Sequence, residues 1–217
     1  MAVLMQSGFA DAMVPESNAG AGLTLTQAFP IFELCGRNLL PVPLPQMMVQ
    51  RATGTEPILE MTACLVAAQM AGAMQRVLEM TLQFANDRQQ FGRALGKFQA
   101  IQHQLAVMAE QVVAARMAAQ IGCSTAGHQP GTMNVAIAKA RTSEAAVEVV
   151  ALAHSIHGAI GFTADHDLQL FTRRLNAWRL QAGSESYWHE VLGQAVLAAP
   201  LGAPGQPHTL DILRKLF

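Results

Sequence analysis

Apolar residues recur at three-and-four spacing from Pro57 to Asn86: Leu59, Ala63, Val66, Met70, Met74, Val77, Leu78 and Leu82 fall on one face. This period predicts one long helix. A second is predicted from about Lys97 to Cys123, with Ile101, Leu105, Met108, Val112 and Met117 on its apolar stripe, before Gln129-Pro130-Gly131 breaks the chain. A third runs from near Thr132 to a stop at Gly158, a fourth follows His166, and a fifth starts after Gly183-Ser184 and ends before Pro200. Long helices joined by short turns make an antiparallel bundle. The expected fold is therefore all-α, a C-terminal helical bundle preceded by a short helical N-terminal segment.

The first fifty residues read differently. Asn18 to Gly22 is a flexible loop, Thr24 or Thr26 can cap a helix ending near Arg37, and Pro41, Pro43 and Pro45 are expected to prevent further helix. Arg51 to Glu56 is short, polar and unpatterned. The expected organisation is an N-terminal helical segment at 1–50, a seam at 51–56, the bundle at 57–199 and a tail at 200–217.

A chain of 217 residues can bury a substantial core. Its formal net charge of −1, with 13% charged residues, offers no polyanion-seeking surface and argues against a nucleic-acid partner. Hydrophobic residues make up 51%, yet no eighteen-residue window lacks a polar interruption, so no membrane span is expected. The first basic residue is Arg37, and with no basic start to a signal peptide the chain reads as cytoplasmic. So apolar a chain should hide part of its surface against other subunits. Cys35, Cys64 and Cys123 are scattered and form no C-x-x-C pair, so they read as buried free thiols. His154 and His157 have no carboxylate or Cys at ligand spacing. They read as packed or surface histidines, and no metal is expected.

The stretch Asn86 to Met108, NDRQQFGRALGKFQAIQHQLAVM, sets Arg88, Phe91 and Gln99 around a glycine-bearing break. A guanidinium, a flat ring and an amide at one helix corner could hold a pyrophosphate and an adenine. The pattern R-x-x-F-G-x-x-x-x-x-F-Q-x-x-x-x-x-L-A-x-M resembles the start of the C-terminal helical domain of flavin-dependent acyl-CoA dehydrogenases. The likeness continues in IHGAIGFTADHDLQLFTRR at 156 to 174 and in VPESNAGAGLTLTQAFPIFELCGRNLLPVP at 14 to 43.

The resemblance implies FAD and an acyl-CoA substrate. Arg88, Phe91 and Gln99 would bind the adenosine-pyrophosphate of an FAD held mainly by a neighbouring subunit. The residues also allow a plainer reading: Arg88 a solvated helix end, Phe91 a core plug, Gln99 a cap. The family's Q-x-x-G-G-x-G loop matches Ser155 to Gly161, keeping Gly158 and Gly161 but placing Ser155 and Ala159 where the family has Gln and Gly. Ser184, ahead of the last helix, falls where the family has hydroxyls near the cofactor, and is equally an N-cap.

The expected base is missing. The usual family Glu corresponds to Ala182, and the minority position, on the first bundle helix, to Thr62. Glu60 and Glu185 are the nearby carboxylates, but Glu60 is two residues off, roughly 200° around a helix, and Glu185 suits a helix N-terminus. Asp165, His166 and Asp167 look like a helix start, and Arg173 and Arg174 read as structural. The family's middle β-domain has no counterpart between Pro45 and Pro57, and residues 1–50 correspond to a remnant of its N-terminal domain.

Two classes of function stand on these residues. In one, the chain is a subunit of a homodimer or of a hetero-oligomer with a full-length acyl-CoA dehydrogenase subunit, as in bacterial steroid-degrading systems. There it lends its clamp to a partner's active site for α,β-dehydrogenation in lipid or steroid catabolism. In the other it is an inactive helical scaffold; a deleted or truncated gene product whose bundle still folds is a third origin for the same features.

Overall fold

The computed structural model describes residues 7–125 and 128–198. The expected tail at 200–217 lies outside the described residues. Two short 3-10 turns, Phe9–Asp11 and Glu16–Asn18, lead into α1, Leu25–Arg37. Thr24 caps α1 through a reciprocal pair: its Oγ1 accepts from Gln27 N–H at 3.3 Å, and Gln27 Oε1 accepts from Thr24 N–H at 2.9 Å.

Helix α2, Leu44–Thr53, overturns the expectation that the prolines bar helix there, and it overlaps the expected seam. Pro45 sits in the first turn, where a missing N–H breaks no intrahelical bond and the fixed φ favours helix. Only five residues, 54–58, then separate α2 from α3, Leu59–Asp87.

A two-residue hairpin follows, β1 Gln89–Gln90 paired antiparallel with β2 Arg93–Ala94. Then come α4 Gln99–Gly122, α5 Thr132–His157, a 3-10 turn Gly158–Phe162, α6 Leu168–Leu180 and α7 Glu185–Ala198. Helix α5 packs on α3, α4, α6 and α7, and α1 lies against α3. By length and composition Thr132–Phe162 could cross a membrane. Its packing against four helices makes it a core helix of the bundle.

The middle of α3 is buried on every side, from Ala63 to Met74. One core cluster joins Met13, Phe29, Phe32 and Met48 of the N-terminal segment to Cys64, Leu65, Val135 and Trp188 of the bundle. A second holds Met70, Met74, Met108, Val112, Val149 and Leu175. The two segments therefore share one core.

Contact between α1 and α3 is close enough to require glycine in each helix. A Cβ on Gly36 would stand 1.8 Å from Gln69 O, and one on Gly72 would stand 1.9 Å from Glu33 O. On the far side, Met117, expected on the apolar stripe of α4, is 60% exposed. It lines a groove of about 500 Å³ between α1, α3 and α4 whose charges are already paired, Arg37 with Glu79 and Arg116 with Glu33.

Candidate functional site: a hairpin corner and a distant turn

Arg88 ends α3 in an extended conformation, and its carbonyl accepts from Leu95 N–H at 2.9 Å, closing the base of the hairpin. At the tip, Phe91 takes φ 53°, a left-handed conformation unfavourable for a side chain with Cβ, and Gly92 follows at φ 80°. The Phe91 ring is 89% exposed, which excludes the core-plug reading. Behind it, Phe98 meets Phe91 edge-on at 6.2 Å while the Arg93 guanidinium covers Phe98 at 4.0 Å. Gln99, exposed, opens α4, and Gln102 Nε2 donates to Gly96 O at 2.9 Å. Neither Arg88 nor Gln99 has a side-chain hydrogen bond or ion pair within the described residues.

The 158–162 turn lies at this same end. Phe84, one turn before Arg88, stacks on His157 at 4.3 Å, and Gln104 of α4 reaches Ser155 Oγ at 3.5 Å. Gly158 adopts φ 64°, ψ −147°, a region essentially closed to other residues. Gly161 is held by packing: its Cβ would meet His157 Cβ at 3.0 Å and Leu168 Cδ2 at 3.1 Å. Ser155, Gly158 and Ala159 are exposed, so the methyl of Ala159 faces outward without a clash.

His157 is buried; its Nδ1 donates to Ala153 O at 2.8 Å, and burial pushes its pKa down. His154 stacks on Phe162 at 4.0 Å, its Nε2 is 3.1 Å from Thr172 Oγ1, and burial lowers its pKa too. Both are neutral packing groups at pH 7. His166 Nδ1 accepts from Leu168 N–H at 3.1 Å and so caps α6, a role its neighbour Asp167 does not take.

Ala182, Gly183 and Ser184 do not join this corner. They form the turn between α6 and α7, held by Lys139 near the start of α5, about 28 Å along that helix from Gly158 at 1.5 Å per residue. Lys139 is fully buried, and its Nζ donates to Ser143 Oγ at 3.0 Å and to the carbonyls of Arg179 and Gly183 at 2.8 Å. Three acceptors match the three donors of an ammonium. Burial nevertheless brings its pKa down to about 8.

Lys139 is a structural residue with no part in the expected site. Its burial has a signal in the sequence, because it continues the buried stripe of Val135, Thr142 and Ala146. Ser184 accepts from Tyr187 N–H at 3.5 Å, so it caps α7 and stands away from the hairpin.

No proton acceptor occupies the two positions where the sequence leads one to expect a base. Ala182 is in the left-handed region, φ 56°, with its carbonyl taken by Trp188 Nε1 at 2.9 Å. Thr62 donates to Ile58 O at 3.0 Å, closing the first turn of α3. Glu185 is committed to a two-point pair with Arg179, Nε to Oε2 at 3.0 Å and Nη2 to Oε1, which holds its carboxyl below the usual range. Glu60 is half-buried in the first turn of α3 and joins no ion pair within the described residues. Glu185 is thus a structural anchor.

A helical bundle of this form has a hairpin corner with exposed glycines at one end and a lysine-held turn at the other. The family profile described as "Acyl-CoA dehydrogenase, C-terminal domain" matches residues 55–197, and the chain belongs to the acyl-CoA dehydrogenase family. It is similar to "Acyl-CoA dehydrogenase IpdE2" of Mycobacterium tuberculosis, 37% identical over 117 residues, 54% of this chain and 36% of that protein.

Among solved structures it resembles butyryl-CoA dehydrogenase from Megasphaera elsdenii, with TM-score 0.61 and 28% identity, covering 71% of this chain and 38% of that one. A likeness in fold alone extends to a chain of the ChsE4-ChsE5 complex from M. tuberculosis, with TM-score 0.62 and 24% identity over 65% of this chain and 39% of that one. The chain spans about a third of the length of the curated relatives it matches.

Proposed function

We propose that this chain is the helical half of a shared acyl-CoA dehydrogenase site. Arg88, Phe91 and Gln99 clamp the adenosine-pyrophosphate of an FAD whose ring site, base and acyl-CoA pocket belong to a partner subunit. The observation that carries the reading is the hairpin tip. An aromatic ring held 89% exposed in a left-handed conformation, on the hairpin whose base is Arg88, a guanidinium with no partner among the described residues, is placed to be covered by something outside the chain.

The residues fit the cofactor at that end. Arg88 offers a fork for pyrophosphate, Phe91 a face for adenine, Gln99 an amide, and Gly158 a backbone free of Cβ. Ser184 is withdrawn from this set, because it lies at the opposite end. When bound, FAD supplies the hydride acceptor; this chain's residues orient and hold it. Proton abstraction from the acyl-CoA falls to the partner, since Ala182 and Thr62 cannot accept a proton, Glu185 is held by Arg179 and Glu60 lies roughly 200° around α3 from the Thr62 position.

Purifying the chain alone and with a full-length acyl-CoA dehydrogenase subunit, then recording visible spectra, tests this. Flavin absorbance retained only with the partner, and lost on Arg88→Ala, is the expected result. A tight but colourless complex would sink the clamp and leave the scaffold reading. Acyl-CoA oxidation by the chain alone would move the base to Glu60.

A further inference from the structure

Cys64 stands in the second turn of α3 and Cys123 closes the end of α4, 59 positions apart in sequence. Both are fully buried, and their sulfurs lie 3.0 Å apart. A disulfide bond is about 2.05 Å long, so roughly 1 Å of approach separates the two thiols from a covalent link. We propose that Cys64 and Cys123 are a redox pair, converted by a peroxide to an intramolecular disulfide that staples α3 to α4. This rests on the packing of the helices and is independent of any flavin.

The joint is well placed for a staple. Thr26 Oγ1 of α1 donates to Cys123 O at 2.9 Å and accepts from Thr125 N–H at 3.0 Å, so three helices meet at Cys123. Cys64, Cys123 and Trp188 belong to one core cluster with Ala182 packed against it, which puts the link at the bundle end that carries Ala182 and Thr62.

In the reaction, one sulfur attacks a peroxide oxygen and the O–O bond breaks. The departing hydroxide takes that thiol's proton and leaves as water. The second sulfur then attacks the sulfenic sulfur, forming S–S and breaking S–O, and the second hydroxide leaves with the second proton. Two thiols give up two electrons and two protons, and one peroxide becomes two waters. Each thiol is the other's nearest partner, and that contact together with burial holds the Cys64 thiol well above its ordinary pKa. Oxidation is therefore slow, gated by fraying of the end of α4, and open to a small peroxide before any bulky disulfide.

The full chain, treated with hydrogen peroxide, then denatured in iodoacetamide and weighed, should take up one alkyl group where the reduced chain takes three. The single site is Cys35. Peptide mapping should show Cys64 joined to Cys123, and the melting temperature should rise by about 5–15 °C, reversed by dithiothreitol. Cys64→Ala or Cys123→Ala removes both effects; Cys35→Ala keeps them. Three alkyl groups after peroxide, sulfinic acid on either cysteine, or a link between two chains would overturn the proposal. Mapping the unsubstituted chain decides the matter even if a variant fails to fold.

Discussion

Holding Phe91 at φ 53° costs about 1 kcal/mol, and its exposed ring recovers little of that within the chain. Phe91→Gly should therefore raise stability to chemical denaturation by about 0.5–1 kcal/mol while flavin retention by the partnered chain is lost. If stability and flavin fall together, the ring serves the fold instead. Gly183 gives the opposite case. At φ 94°, a Cβ there would stand 2.7 Å from Trp188 Nε1 and from Tyr187 Cδ1, so Gly183→Ala should cost about 2–4 kcal/mol in urea unfolding. The grouping of Arg88, Phe91 and Gln99 was legible because they are neighbours in sequence around a glycine turn. That Ser184 lies a bundle length from Gly158, and that Lys139 bonds Gly183 O, depends on how α5 and α6 pack, which local spacing does not encode.

Among the elements, α3 and α5 matched their predicted spans within about two residues, because long periodic faces and glycine stops are local signals. The expected faces failed at their margins. Leu59 and Leu82 near the ends of α3 are exposed, as is Met117 where α4 borders an open groove. Helix α2 was missed because Pro45 reads as a breaker until its position within the first turn is known. Nor does local spacing encode that Gly36 and Gly72 let α1 and α3 touch backbone to backbone. Gly72→Ala should cost 3 kcal/mol or more, roughly, since the opposing atom is Glu33 O and only a helix shift can clear it. Loss measured by denaturant midpoint, with α5 contacts intact by exchange protection, would place the damage at the α1–α3 contact.

At the scale of the whole molecule, the buried Lys139 sets a pH dependence. The unfolded chain keeps its lysine proton up to about 10.5, and the folded chain releases it from about 8. Between those values the unfolded state binds more protons, so this group's contribution to stability rises with pH; below about 8 the penalty of burying the ammonium is carried in full. Comparing unfolding of the chain and of Lys139→Met at pH 7.5 and 9.5 should show that rise only where Lys139 is present. The shared core has a different consequence at residues 54–58. Helices α2 and α3 are each anchored on their own side of that exposed joint, so the covalent bond between them carries little of the fold. A protease cutting at Thr55 or Glu56 should leave two fragments that elute as one particle and part only in denaturant. The polypeptide there is a splice, open to interruption without loss of shape.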